Sequence, residues 1–260
     1  MDEKRQPAYV QAEHNRIEAE YRRRELEVRA DLYAPWQPAA MLMSSGRRRA
    51  ACKLLKLAGV FPNAEDHCLE IGFGSVGWLG DLISWGVRES SLHGIELDAS
   101  RARRARLALP VADLRVGDAV DLPWAGDTFK LVVASTVFTS ILDSTVRSLV
   151  ADQITRVLAP GGALLWYDFA FDNPMNPNVK GVSRRELRRL FPMLRGRIRS
   201  VTLAPPLARL VTSWSWVLAT LLEGLPVLRT HLIAVLVKPP RGFSVIPNER
   251  SSPDLRYLES

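Results

Sequence analysis

From His67 onward, short apolar runs alternate with segments whose apolar residues recur at helical spacing, and this alternation constrains the fold more than any other feature. Runs at His67–Ile71, Leu92–Leu97, Leu114–Val116, Leu131–Ser135, Ala163–Asp168, Arg197–Leu203 and Leu228–Val237 read as strands. Between them, Gly77–Trp85, Ser100–Leu107, Ser144–Leu158 and Ser183–Leu190 read as helices. Strands that alternate with helices pair in parallel and carry the helices on both faces, which predicts a doubly wound α/β sheet. A Trp-containing helical stretch, Pro205–Gly224, interrupts the series before the seventh strand and reads as a lid-like insertion at about 204–226.

Upstream, residues 1 to about 30 are dense in Glu, Arg and Ala with few large apolar groups, which predicts an exposed helix or a partly disordered arm rather than core. Pro35, Trp36 and Pro38 mark a break after this arm. An apolar helical pattern then runs from Ala39 to Leu57 and is closed by Gly59 at a C-cap position. The reading gives an arm at 1–38, a catalytic domain at 39–240 and a polar, Pro-containing tail at 241–260.

The formal charge of +7 comes from arginine clusters at 22–24, 47–49, 101–106 and 184–199. Such clusters fit either solvated helix faces or an anionic partner such as RNA. Two cysteines, Cys52 and Cys68, are too few for a disulfide framework, and a cytoplasmic setting is expected. No uncharged stretch reaches the length that spans a bilayer. No metal site is expected.

The segment Leu69-Glu70-Ile71-Gly72-Phe73-Gly74-Ser75 stands where a buried strand turns into a helix. Open α/β sheets bind ligands at such carboxyl ends, and glycine lets backbone approach the ligand closely. About twenty residues later, Glu96 ends the next strand, a spacing that suits a carboxylate gripping a ribose diol. Its alternative role is N-cap of the following helix, which Asp98 or Ser100 could fill instead. A nicotinamide dehydrogenase would share both features. It has no counterpart for Val116-Gly117-Asp118-Ala119-Val120-Asp121-Leu122-Pro123-Trp124 after the third strand.

Taken in order, EIGFGS, GIEL, GDAVDLPW and RVLAPGGALLWYDF over about residues 65–170 resemble the motifs of the class I S-adenosylmethionine-dependent methyltransferases, and the chain is similar to bacterial members of the methyltransferase-11 type. The resemblance implies a Rossmann-like seven-stranded sheet, mostly parallel with an antiparallel last strand, preceded by a helical N-terminal extension. It also implies S-adenosylmethionine as cofactor. Glu70, Gly72 and Gly74 would border the methionine end, Glu96 the ribose hydroxyls, and Asp118 with the Ala119 backbone the adenine. Leu97 would cover the adenine face, and Ser135 would face the sulfonium. A third glycine, common in the family, is replaced by Val76, with Gly77 one place later. No Asn-Pro-Pro-aromatic motif follows the fourth strand, where Ser135-Thr136-Val137-Phe138-Thr139 stands.

For the acceptor side, Asp168 at the end of the fifth strand is the leading candidate base, with Asp143 and His231 less well placed. The loop Asp172-Asn173-Pro174-Met175-Asn176-Pro177-Asn178 could hydrogen-bond a polyhydroxylated acceptor or simply form Asx turns. Trp214 and Trp216 in the Leu203–Gly224 segment and the Tyr33–Trp36 region are expected either to form the lid and acceptor pocket or to pack between helix and sheet. A small-molecule or glycan acceptor, methylated at oxygen, is favoured over RNA and over a non-catalytic binding protein.

Overall fold

The computed structural model describes residues 7–27, 31–32, 34–74, 76–173 and 176–241. Ser75, Tyr33, Pro174, Met175 and nearly all of the tail therefore lie outside the described residues. Seven strands form one sheet: β1 (Cys68–Ile71), β2 (Leu92–Glu96), β3 (Asp113–Val116), β4 (Phe129–Ser135), β5 (Leu158–Phe169), β6 (Arg195–Leu203) and β7 (Arg229–Val237). Their order is β3-β2-β1-β4-β5-β7-β6. β1 to β5 pair in parallel. β7 is antiparallel to both β5 and β6, so the chain's last strand runs against the rest, as expected.

Helices α1 (Ala8–Glu27), α2 (Pro38–Leu57), α3 (Leu79–Ser84), α4 (Ala99–Ala108), α5 (Ser144–Val157), α6 (Arg184–Leu190), α7 (Pro205–Thr212) and α8 (Trp216–Glu223) cover the sheet. One core layer packs Val146, Val150 and Ile154 of α5 and Leu187 of α6 against Leu69, Val132 and Trp166. The opposite layer packs Leu54 and Leu55 of α2, Leu79 and Leu82 of α3 and Ala102 of α4 against Cys68, Leu131 and Leu165. A third, smaller cluster joins α2 to α7 and α8 through Leu42, Ala208 and Ala219.

β5 starts five residues before the expected Ala163. Ala159-Pro160-Gly161-Gly162 reads as a turn, yet it stays in the sheet because a bulge between Phe129 and Leu131 shifts the register. Gly161 takes φ +74°, and a Cβ at Gly162 would lie 2.8 Å from the Ala159 carbonyl.

The largest departure is α1, which docks on the domain instead of standing exposed. Its inner stripe is Val10, Glu13, His14, Ile17, Glu20 and Tyr21, at helical spacing. Val10 and Ile17 join the main core. Buried polar groups on that stripe are paired: Glu13 accepts from the Leu142 amide and from Arg16. Glu20 accepts from Asn178 Nδ2 at 2.8 Å and Asn176 Nδ2 at 3.3 Å. Counting apolar residues misses this helix, since much of its docking face is charged and satisfied by partners distant in sequence.

Candidate functional site

Strand order reverses between β1 and β4, and a cavity of about 1170 Å³ opens at the carboxyl ends of these strands and their neighbours. Glu70, Gly72, Gly74, Glu96, Leu97, Asp118, Ala119 and Ser135 all line it, together with the apolar Ile71 and Ile95. His14, Ile17 and Tyr21 of α1 roof it.

Gly72, Gly74 and Gly77 take φ of +65°, +61° and +55°. The shift of the third glycine from 76 to 77 thus preserves a left-handed position rather than losing one. A Cβ on Gly77 would sit 2.6 Å from the Phe73 carbonyl oxygen and 2.7 Å from Glu70 Oε2. Glu70 lies beneath this loop and accepts from the Leu79 amide at the start of α3, at 3.0 Å. Burial pushes its carboxyl up to about 8, against the pull of the Trp78 and Leu79 amides and of the Arg47 charge.

The rival role for Glu96 is taken by its neighbour: Asp98 caps α4, accepting from the Ser100 and Arg101 amides. Glu96 instead accepts from the Gly74 amide at 2.8 Å and the Asp98 amide at 3.1 Å. It therefore ties the glycine loop to the end of β2 while lining the cavity. Asp118 accepts from the Val120 amide at 3.0 Å and pairs with His14 Nε2 at 2.8 Å.

A family model described as a methyltransferase domain matches residues 69–166, the stretch that holds Glu70, the three glycines, Glu96 and Asp118. Over this stretch the chain carries a methyltransferase domain.

Solved structures agree on the fold of this methyltransferase. The "putative sarcosine dimethylglycine methyltransferase" of Galdieria sulphuraria is 14% identical, with a TM-score of 0.57 over 74% of this chain and 85% of the other. Geranyl diphosphate C-methyltransferase of Streptomyces coelicolor A3(2), solved with S-adenosyl-L-homocysteine, is 15% identical, with a TM-score of 0.54 over 73% and 76%. A methyltransferase of Methanosarcina mazei is 17% identical, with a TM-score of 0.51 over 69% and 95%. No curated relative matches the chain.

The cavity of the methyltransferase fits this cofactor. Bare glycine backbone, a carboxylate for a diol and flanking Ile71, Ile95 and Leu97 suit a nucleoside. At the other end, Arg47 of α2 reaches the cavity with its guanidinium 4.8 Å from the Trp78 ring centroid. Its buried Nε has no hydrogen-bond partner, which leaves a donor for an anionic group beside Glu70. Within a cluster of three arginines this one is not distinguishable by sequence; only its place on the inner side of α2 singles it out.

The acceptor side needs correction. Asp168 stands on the opposite face of β5 from Tyr167 and Phe169, is fully buried and does not line the cavity. Its carboxylate accepts from the Thr139 hydroxyl and, at 3.2 Å, from the Thr139 amide. It braces the turn after β4 and is too enclosed to reach an acceptor. Asp143 caps α5. His231 does line the cavity, stacked on Tyr167 at 4.9 Å and bonded through Nδ1 to Thr230 Oγ1. Trp36, Trp214 and Trp216 point to solvent, and it is Pro35 and Pro205 that reach the cavity wall. The amide-rich loop forms an Asx turn at Asn176 and anchors Glu20 of α1, while Asn173 and Asn176 also border the cavity. Thr136, next to Ser135, holds φ +56°, a costly conformation for a β-branched residue, at the junction of the two halves.

The His14–Asp118 pair makes the roof pH-dependent. The hydrogen bond to Asp118 raises the His14 pKa above 6.5, against burial. A raised histidine pKa stabilises docking fully below pH 6.5, and this contribution is lost as pH rises through the folded value. The protection of α1 amides from hydrogen exchange, taken relative to their intrinsic base-catalysed rates, is expected to fall from pH 6 to 9 in the wild type and to be flat in His14→Ala; identical profiles would refute the pairing.

Proposed function

We propose that this methyltransferase methylates an oxygen of a small-molecule or glycan acceptor, held between Tyr167, Phe169, Asn173 and His231. The observation that carries this reading is the cavity's extent. Pockets for a single small ligand run to roughly 1,000 Å³ at most. This one, at about 1170 Å³, continues past Ser135 and Thr136 to a second wall of aromatic, amide and imidazole groups.

In this reading Glu96 accepts from the ribose hydroxyls, Asp118 and the Ala119 amide meet the adenine, and Leu97 covers its face. Gly72 and Gly74 give room to the methionine end, where Glu70 faces the ammonium and Arg47 the carboxylate. The bound cofactor supplies an activated methyl group, so alignment and exclusion of water are the protein's main tasks, worth roughly 7 to 11 kcal/mol. Ser135 and the strained Thr136 fix the floor at the point of transfer, and α1 closes the roof. Burial, followed by the Arg47 charge, pushes His231 down to about 3, so it stays neutral and accepts a hydrogen bond from the acceptor hydroxyl. Asp168 serves as a positioning group through Thr139. Two free cysteines fit a reducing, cytoplasmic setting.

The test is release of S-adenosylhomocysteine from a panel of hydroxylated metabolites and glycosides. With the best acceptor, His231→Phe is expected to cut turnover about fivefold to tenfold, the scale of one lost hydrogen bond of roughly 1 kcal/mol, with cofactor affinity intact. Transfer to nitrogen or carbon, or to RNA alone, would contradict the proposal.

A further inference from the structure

The strongest feature outside the cavity is the α7–α8 hairpin. It buries Ala208, Val211 and Ala219 against α2 and β6 but turns a continuous apolar face outward. Leu210 and Trp214 follow one another at i, i+4 on α7 and its end. Val217, Leu218 and Leu221 make the matching stripe on α8, and Leu225 follows just after its end. Trp214, at the tip, is 85% exposed, and Val217 and Leu221 are 69% and 66% exposed. Eight-residue helices with this much outward apolar surface are unlike the charged outer faces of α4 and α6. Contiguous exposed apolar surface marks a binding face.

Beside the hairpin lies a groove of about 320 Å³ between α8, α2 and the edge strand β6. It is lined by Arg49, Lys53, Arg199 and Arg229, and its one acid, Glu223, is already paired with Arg49 at 3.2 Å. Arg229 is occupied with the carbonyls of Glu223 and Gly224 at the end of α8. Lys53 and Arg199 are exposed and make no ion pair among the described residues.

We propose that this surface docks on an anionic lipid bilayer, with Trp214, Val217 and Leu221 entering the interface and Lys53 and Arg199 meeting lipid phosphates. An apolar helical face with tryptophan at its edge and cations along its rim is the chemistry of interfacial binding. A second copy of this chain would bring the same positive rim against itself, and a nucleic acid would leave the apolar stripe uncovered. The chain's formal charge of +7 adds to the attraction for an anionic surface. The inference does not depend on the acceptor's identity. It does place the wall at Pro205 about 12 Å of helix from the membrane-facing tip.

Co-sedimentation of the full chain with phosphatidylcholine vesicles, with and without phosphatidylglycerol, tests this. Binding is expected only to the anionic vesicles, weakened by salt, with a blue shift of tryptophan emission that Trp214→Phe reduces. Lys53→Glu with Arg199→Glu is expected to weaken binding more than tenfold, at about fivefold or more per reversed charge. Val217→Glu with Leu221→Glu is expected to abolish it, while S-adenosylmethionine affinity and the melting temperature stay unchanged. No binding to any vesicle would overturn the proposal. So would a dimer that Leu221→Glu dissociates, which would assign the face to a second copy. Retention on RNA that depends on Lys53 and Arg199 but not on Val217 and Leu221, without vesicle binding, would overturn it equally.

Discussion

Gly77→Ala is expected to reduce S-adenosylmethionine affinity by about 100-fold or more. The added Cβ would enter a space already held by the Glu70 carboxylate and the Phe73 carbonyl, at φ +55°. Left-handed backbone alone costs a non-glycine residue roughly 1–2 kcal/mol. The greater damage is that Glu70 is buried and fixed by the start of α3, so the clash is relieved only by moving the loop itself. A displaced loop loses at least two hydrogen bonds to charged groups, each worth roughly 1.5–3 kcal/mol, which is the 100-fold scale. Gly59→Ala is the control: its φ is +67°, but no heavy atom lies within 4 Å of the added Cβ. That variant is expected to lose stability and keep its affinity. Equal affinity of the Gly77→Ala and wild-type proteins, measured by calorimetry, would show that the loop does not cradle the ligand.

Glu96→Ala carries the second large effect. The side chain secures the Gly74 and Asp98 amides and, in the proposed pose, both ribose hydroxyls, so its removal strikes the ligand and the loop together. A loss of roughly 100- to 1,000-fold in affinity follows from two charge-assisted bonds. Glu96→Gln keeps one acceptor oxygen and is expected to lose about tenfold. Asp98→Ala separates capping from binding, because only the cap of α4 is removed, at about 1 kcal/mol of stability. If Asp98→Ala matched Glu96→Ala in affinity, the assignment of the ribose to Glu96 would fail.

Most of the cavity lining at the strand ends was legible because it is local. Glycines, a following carboxylate and Asp118 each stand at a strand's end, where the alternation of strands and helices fixes their direction. The sheet could be read for the same reason, down to the strand that returns after the insertion. What escaped was assembled across long separations. His14 meets Asp118 and Glu20 meets Asn178 only after α1 has docked, and a stripe of Glu, His and Ile does not look like a buried face. Asp168 shows that a place at a strand's end does not settle which face of the sheet a side chain takes. It ends the strand as a candidate base should, but Tyr167 and Phe169 take the cavity face and leave it behind the sheet. Trp214 and Trp216 misled in the opposite sense: aromatics in an insertion suggested a pocket, and they lie on an outer face. Arg47 was hidden among arginines whose neighbours, Arg48 and Arg49, pair with Asp81 and Glu223.

The most direct measurement is calorimetric titration of the purified chain with S-adenosylmethionine and, separately, with NADH, alongside the Glu96→Ala, Asp118→Ala double variant. Micromolar binding of S-adenosylmethionine, lost in the folded variant and absent for NADH, is the predicted result. No S-adenosylmethionine binding by the folded wild type, or binding that the double variant retains, would contradict the assignment of this cavity.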